Sequence, residues 1–564
     1  MNKPQLKSIL IISLIILLGL FLRLIGINKP GGLWHDEMVI YTQSIQAFPW
    51  DIINWTLSRD THFPLFQLLL HLWMTLFGNN DITIRLFSVL IGVANIYVIY
   101  LAGKELESKR TGIIAALALS INSLLIYYSQ EVKFYSFLPL FATISALFLI
   151  RIIKKPTKIN YWGFIISNLL ISYTFTIGIA YVFIEIATLA TYLYLKQKED
   201  FKRFIKTHLY FLILLIPLIF MFLRTLESDK QDFTGGFTAF YQDIQFIIVI
   251  LQNWFTPVLI GLINNPVRYL DILLYPNLLI VKLLFIFVPF VCYLIGIINA
   301  IRQKNYTLML LIISLSFLFL EIAATLVTRF VCITRYTIIG LPLIILFASY
   351  GIAKIKNTKF LYSIVTIFTL LNIFFILAYP FSAPKQPRTG GHKLPSVALE
   401  KISNLKDGDI LVFPLRATLF TKYADVKGTK LSVFRNFIIN RDFLNTIIDP
   451  EDVHKLNANN CQKLFKNYIY QRYASDKFIE YFENKIYSKI PQKGTFVIVI
   501  NKDMTYPRNT YQYVLTQNQY YDTPFVFMLL SKVTYDLIDI STKYFHSLKV
   551  YKIDSWEIYV FHKS

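Results

Sequence analysis

Five short stretches carry residue types able to move a proton or hold a phosphate. The first is Trp34-His35-Asp36-Glu37 and the second Thr61-His62-Phe63-Pro64-Leu65. An ionised carboxylate can take a proton from an attacking hydroxyl as a general base. Adjacent residues on a helix diverge by about 100°, so Asp36 and Glu37 cannot share one role: one acts while the other supports. The remaining stretches bring cations and hydroxyls: Asp81-Ile-Thr-Ile-Arg85, Tyr127-Tyr-Ser-Gln-Glu131-Val-Lys133-Phe-Tyr135, and Thr334-Arg335-Tyr336. Guanidinium groups clamp phosphate through paired, charge-assisted hydrogen bonds, and lysine offers a point charge. Each stretch also has a plain structural reading. Asp36 would cap a helix over 37–48 with Glu37 favouring its dipole, and the cations would reach for anionic headgroups. The structural reading leaves Trp34, His35 and His62 beside the acids unexplained.

The elements that must position these residues are membrane helices. Of 564 residues, 55% are hydrophobic and 16% charged, mean hydropathy is +0.51, and a soluble chain carries about 25% charged residues. That excludes a disordered, collagen-like or ordinary cytosolic chain. Cys292, Cys332 and Cys461 fit no metal spacing and form no disulfide framework. Long apolar runs cover 8–27, 82–103, 111–128, 133–153, 160–177, 178–195, 208–226, 278–300, 306–325, 336–353 and 359–379. These predict eleven spans, with Ile177-Gly178 the weakest boundary. The first run is expected to stay attached, since it is long enough to span and lacks a small-residue cleavage site. The run 244–262, interrupted by Gln252-Asn253-Trp254 and Pro257, reads as interfacial or re-entrant.

A net charge of +22 raises the question of nucleic acid. With a cytoplasmic N-terminus, however, the inside segments 1–7, 103–112, 151–160, 196–207, 301–305 and 353–360 collect nineteen Lys and Arg against Glu105, Glu107, Glu199 and Asp200. Membrane orientation accounts for that pattern, and a nucleic-acid partner is not expected. The first outer loop, 28–81, contains the acids, and its apolar segment 64–77 is short enough to be a juxtamembrane helix rather than a span. An odd number of spans puts residues 381–564 outside. After a Pro/Gly linker they read as a small α/β domain, with strands at Asp409-Ile-Leu-Val-Phe, Thr495-Phe-Val-Ile-Val-Ile and Trp556-Glu-Ile-Tyr-Val-Phe.

On this topology all five stretches fall on the outer face. Arg85, Lys133 and Arg335 run against the positive-inside tendency there, and an anionic ligand at headgroup depth supplies a reason. A sugar carried on polyprenyl phosphate presents its anomeric carbon at that depth, with phosphate as the leaving group. A carboxylate accepts the proton of the incoming hydroxyl while cations stabilise charge on the departing phosphate. The sugar inverts, and no covalent enzyme intermediate is needed.

At these residues the sequence resembles the GT-C superfamily of membrane glycosyltransferases, specifically the bacterial family 39 branch similar to protein O-mannosyltransferases and to the aminoarabinose transferases of lipid A. The resemblance rests on Trp34-His35-Asp36-Glu37, His62-Phe63-Pro64-Leu65, Leu70-His71-Leu72-Trp73 with Phe77-Gly78, Arg85-Leu86-Phe87-Ser88, Tyr128 through Tyr135, and Thr334-Arg335-Tyr336 with Leu341-Pro342. It covers most of 8–380. It implies a GT-C transmembrane catalytic domain over 1–380, a polyprenyl-phosphate-sugar donor, and a catalytic acid matched by Asp36 with Glu37 its neighbour. Arg85, Lys133, Arg335, Tyr336 and His62 are the expected phosphate-binding residues, and Trp34, His35, Glu131 and Tyr135 are expected to line the site. Two departures stand out: Phe63 where the family has a second proline, and Lys133 where it has arginine.

The expectation is an inverting glycosyltransferase in a bacterial cytoplasmic membrane, acting on a protein, lipid or glycan acceptor outside. The rival is a polyprenyl-glycolipid flippase or transporter, whose ionisable groups sit near the midplane. Here the polar clusters lie at helix ends, Glu185 being the main exception. Asp36, Glu37, His35 and His62 have no regular metal-ligand spacing, so no metal or other cofactor is predicted.

Overall fold

The computed structural model describes residues 3–28, 33, 35–59, 62–227, 279–303, 306–328, 337–378, 410–412, 432–434, 479–480, 482–484, 486–501, 535–553 and 556–563. They fall into two compact units, Met1–Asn28 with Gln43–Gln231 and Phe240–Pro387, and Lys29–Thr42 with Asp232–Ala239 and Arg388–Ser564. The first unit is helical. Helix α1 (Lys3–Leu24) is followed, after α2 (His35–Ser44), by α3 (Trp50–Arg59), α4 (Leu65–Phe77), α5 (Asp81–Leu106), α6 (Lys109–Ser120), α7 (Ser123–Ser129), α8 (Phe137–Lys154), α9 (Lys158–Ser172), α10 (Thr176–Lys196) and α11 (Lys198–Glu227). Then come α12 (Leu279–Gln303), α13 (Tyr306–Thr328), α14 (Leu341–Ala353) and α15 (Thr358–Ala378). Over their described residues, all eleven apolar runs are mainly helical. Among the described residues six helices are long and apolar enough to cross a membrane, or seven if α6 and α7 form one span bent by 60°. The run 244–262 lies outside the described residues.

Local sequence sets the helix starts. Asn80 opens α5, Ser108 opens α6, Asn122 opens α7 and Thr157 opens α9, each side-chain oxygen accepting the N–H three residues on. These caps satisfy donors that no turn of helix can reach. The α9–α10 boundary falls at Tyr173–Phe175 rather than at Ile177-Gly178. Gly178 sits inside α10, where a Cβ would come within 2.7 Å of Ile171 Cγ2. Its role is close packing of α9 on α10, not chain reversal.

Helix α8 is the hub: 83% of its span window is buried, against 28% for α1, 22% for α11 and 17% for α15. It packs on α5 and α9, while α14 packs on α6 and α12. Between α8, α9 and α10 lies a fully buried polar cluster. Ser145 Oγ is 2.5 Å from Glu185 Oε2 and 3.1 Å from Asn168 Oδ1, and Tyr181 donates to Glu185 Oε1 at 3.0 Å. Glu185 is thus a local hydrogen-bonding residue tying three helices together. Of the short helices before α5, α4 buries Phe66, Gln67, Leu70 and Met74 and leaves Leu72, Leu76 and Phe77 exposed, as a helix lying along an interface would.

The second unit holds a mixed sheet of β1 (Ile410–Val412), β2 (Ser432–Phe434), β3 (Thr495–Asn501), β4 (Ser547–Ile553) and β5 (Trp556–His562), in the order β2-β1-β3-β5-β4. The first three strands run parallel and β3, β5 and β4 antiparallel. Phe496, Ile498, Ile500, Ile558 and Phe561 are fully buried, which explains why β3 reads as an unbroken apolar run.

Candidate functional site

Within the first unit, the turn between α7 and α8 collects the buried chemistry. Helix α7 ends at Ser129, Lys133 N donates to Glu131 O at 2.9 Å, and a single 3₁₀ turn over Phe134–Ser136 leads into α8. Gln130, Glu131, Lys133 and Tyr135 are all buried. Lys133 Nζ lies 5.5 Å from the centre of the Tyr135 ring and 6.0 Å from that of Phe134, a spacing at which aromatic faces attract a cation. His62 comes to the same place from the segment before α4: its ring is 4.5 Å from Phe134 and 4.9 Å from Phe175, themselves stacked at 5.1 Å. Tyr128 closes on Tyr135 at 4.9 Å. The structure therefore brings His62, Glu131, Lys133 and Tyr135 together.

Phe63, the departure next to His62, is not idle. It is fully buried in a cluster with Leu57 of α3 and Leu218 of α11, so an apolar anchor holds this segment where a second proline would have stiffened it. A lysine ammonium held away from bulk water attracts an anion more strongly than one at the surface. His62 adds a ring nitrogen that donates or accepts according to its tautomer.

Arg85 is placed differently. Its guanidinium is fully buried and Nη1 donates to Ile27 O at 3.0 Å, so it grips the backbone just after α1. Gln130 grips the same segment, Nε2 reaching Arg23 O at 2.9 Å and Ile25 O at 2.6 Å. In turn Arg23, also fully buried, donates Nη1 to Gly19 O and Ser120 O and Nη2 to Leu119 O. Sequence reasoning placed Gln130 in a notable stretch without a role of its own, and assigned none to Arg23 or Phe175. Only Arg23 gave a signal, a lone cation inside an apolar run.

In the second unit α2 begins at His35, so Asp36 and Glu37 both sit in its first turn, where unpaired N–H groups favour acids. Asp36 is inside the helix rather than capping it. Glu37 is fully buried, as are Met38 and Ile40, whereas Asp36 is partly exposed. Of the pair, only Asp36 can meet an incoming molecule without rearrangement. Trp34, Arg335 and Tyr336 lie outside the described residues, and His35 is described by its backbone alone. Among the described residues no group of three His, Cys, Asp or Glu is placed to hold a metal ion.

Residues 61–223 match the family model described as dolichyl-phosphate-mannose-protein mannosyltransferase. No curated protein matches the chain in sequence. Among solved structures, ArnT from Cupriavidus metallidurans bound to undecaprenyl phosphate is similar at 11% identity, with 98% of this chain and 97% of that one covered and a TM-score of 0.51. The Archaeoglobus fulgidus oligosaccharyltransferase AglB, in complex with an inhibitory peptide and a dolichol-phosphate, is similar at 12% identity, covering 99% and 74%, with a TM-score of 0.52. The same oligosaccharyltransferase with zinc and sulfate is similar at 13% identity, covering 97% and 72%, with a TM-score of 0.51. The segment holding His62, Glu131, Lys133 and Tyr135 is therefore the one that matches the mannosyltransferase model, on a mostly helical chain similar in fold to ArnT and the oligosaccharyltransferase.

Proposed function

We propose that this protein is an inverting glycosyltransferase that moves a sugar from a polyprenyl-phosphate donor to an envelope acceptor at the outer face of a bacterial cytoplasmic membrane. The observation that carries this reading is the buried Lys133 enclosed with His62, Phe134 and Tyr135, inside the stretch matching the mannosyltransferase model. The likeness in fold to proteins solved with undecaprenyl phosphate and dolichol-phosphate supports a lipid phosphate as the donor's handle. On this reading 1–380 is the catalytic domain and 381–564 an extracytoplasmic domain. Lys133, with Arg335, Tyr336 and His62, holds the donor phosphate, and Arg85 fixes the chain leaving α1.

The chemistry balances without a cofactor. The acceptor oxygen forms a bond to the anomeric carbon as the bond from that carbon to the phosphate oxygen breaks. The electron pair leaves with the phosphate, whose growing charge the ammonium of Lys133 stabilises. The acceptor proton passes to Asp36. Hydroxyl and amine acceptors both satisfy this scheme, and the donor sugar is whichever polyprenyl-linked one is cleaved in the assay.

The test is turnover of purified protein with polyprenyl-phosphate-linked sugars and envelope acceptors, read as release of polyprenyl phosphate. Asp36→Asn should lower the rate by about 10²- to 10⁴-fold with donor binding unchanged. Full turnover in that variant would remove Asp36 as the base. Movement of labelled lipid between leaflets without cleavage would favour a transporter instead.

A further inference from the structure

The two polar grips described above meet at Arg23, whose side chain caps α6 and whose own carbonyl is capped by Gln130 from the end of α7. Helix α1 ends at Leu24, and its last carbonyls, which have no partner within the helix, are among those at which helix termini need help. Gln130 supplies donors to Arg23 O and Ile25 O from the first residue after α7. Helix α6 ends at Ser120, and its final carbonyls, on Leu119 and Ser120, are met by the guanidinium of Arg23 from α1. A cation at a helix C-terminus also meets the negative end of the dipole. Each side chain thus caps the helix from which it does not come, and both caps are fully buried.

Space around this pair is already full. A Cβ on Gly92 of α5 would lie 2.7 Å from Ser129 Cβ and 3.1 Å from Arg23 Nε, and one on Gly19 would lie 3.3 Å from Arg23 Nη1. The guanidinium is therefore closely packed against α5 and its own helix. Three residues beyond Gln130 comes Lys133, and between them the chain makes a tight turn closed by the Lys133 N to Glu131 O hydrogen bond. Whatever fixes Gln130 fixes the start of that turn.

We propose that Arg23 and Gln130 are positioning residues for lipid-phosphate binding: by capping α6 and α1 respectively they set the Gln130–Tyr135 turn, and with it the Lys133 ammonium, before the ligand arrives. This rests on the reading of Lys133 as the phosphate-binding cation. A preset ammonium spares the ligand the cost of ordering the turn, which is where preorganisation raises affinity. Neither residue touches the phosphate, so neither is catalytic.

The experiment titrates the full-length protein, held in nanodiscs, with undecaprenyl phosphate and measures Kd and Tm side by side. Gln130→Ala should weaken binding about tenfold, the scale of a lost buried hydrogen bond. Ser145→Ala, which loosens the α8–α9–α10 cluster instead, should lower Tm and leave Kd alone. Unchanged Kd in Gln130→Ala, or an equal loss of affinity in Ser145→Ala, would overturn the proposal. Should Gln130→Ala not fold, Gln130→Met keeps the volume without the donor and gives the same comparison. Arg23→Lys, which retains a charge and a donor, should keep more affinity than Arg23→Met, and equal Kd values in those two variants would overturn the part assigned to Arg23. Absence of binding in the wild-type chain would instead defeat the lipid-phosphate reading of Lys133, and this inference with it.

Discussion

The two ends of the helical unit are tied in opposite ways. At one end the C-termini of α5, α8 and α14 and the start of α6 are linked by charges near the surface. Arg151 meets Glu105 at 3.5 Å and Lys354 meets Glu107 at 2.5 Å, Lys154 reaches Glu105 O, and Arg110 Nη2 reaches Ile355 O at 3.2 Å. At the other end Arg23 and Arg85 are fully buried and donate to main-chain carbonyls. The residue types are the same, but the energetics are not. An exposed pair exchanges good hydration for a partner and gains little, whereas a buried donor leaves carbonyls stranded when it is removed. Cations at the first end meet carboxylates near the surface. Those at the second hold backbone in place.

Three substitutions put this contrast at risk, in descending order of effect. Arg23→Ala should cost about 3 kcal/mol, through the vacated volume and the Ser120 carbonyl it leaves behind, read as a lowered midpoint in thermal unfolding. Gly112→Ala should cost roughly 2 kcal/mol, because at the charged end it makes a close backbone-to-backbone contact: its Cβ would lie 2.4 Å from Tyr100 O. Lys354→Ala should cost below about 1 kcal/mol, and less still in high salt. If Lys354→Ala lowered the midpoint as far as Arg23→Ala does, the two ends would be equivalent and the contrast would collapse. If Gly112→Ala proved silent, the charged end would owe its cohesion to ions after all.

Much of this fold was legible because hydropathy and caps are local. The apolar runs, the short helix over 64–77 and the strands at 410–412, 495–501 and 556–562 follow from residue type within a few positions. Strands β2 and β4 escaped notice because Ser432–Phe434 is too short to show a period and Ser547–Ile553 mixes lysines into an edge. Gly178 misled for a different reason: a glycine that breaks a chain and one that admits a neighbouring helix look alike in sequence, and only Ile171 decides between them. The site shows the same division. His62, Glu131, Lys133 and Tyr135 could be nominated by type. Their meeting with Phe175, and the placement of Gln130 against Arg23, depend on contacts far apart in sequence. Arg85 drew attention as a cation on the outer side, yet its carbonyl partner at Ile27 belongs to another helix's exit.

The bend between α6 and α7 has one more consequence. A 12-residue helix is about 18 Å long, well short of the roughly 30 Å of hydrocarbon a bilayer presents. Its neighbour α14 is longer by a single residue, at 13, and its residues Leu341 through Gly351 are buried. Neither helix has to match the bilayer, since among the described spans α1, α11 and α15 are the least buried. Bilayer thickness is thus felt by the periphery, and the interior is free to end its helices at a depth where lipid would forbid it.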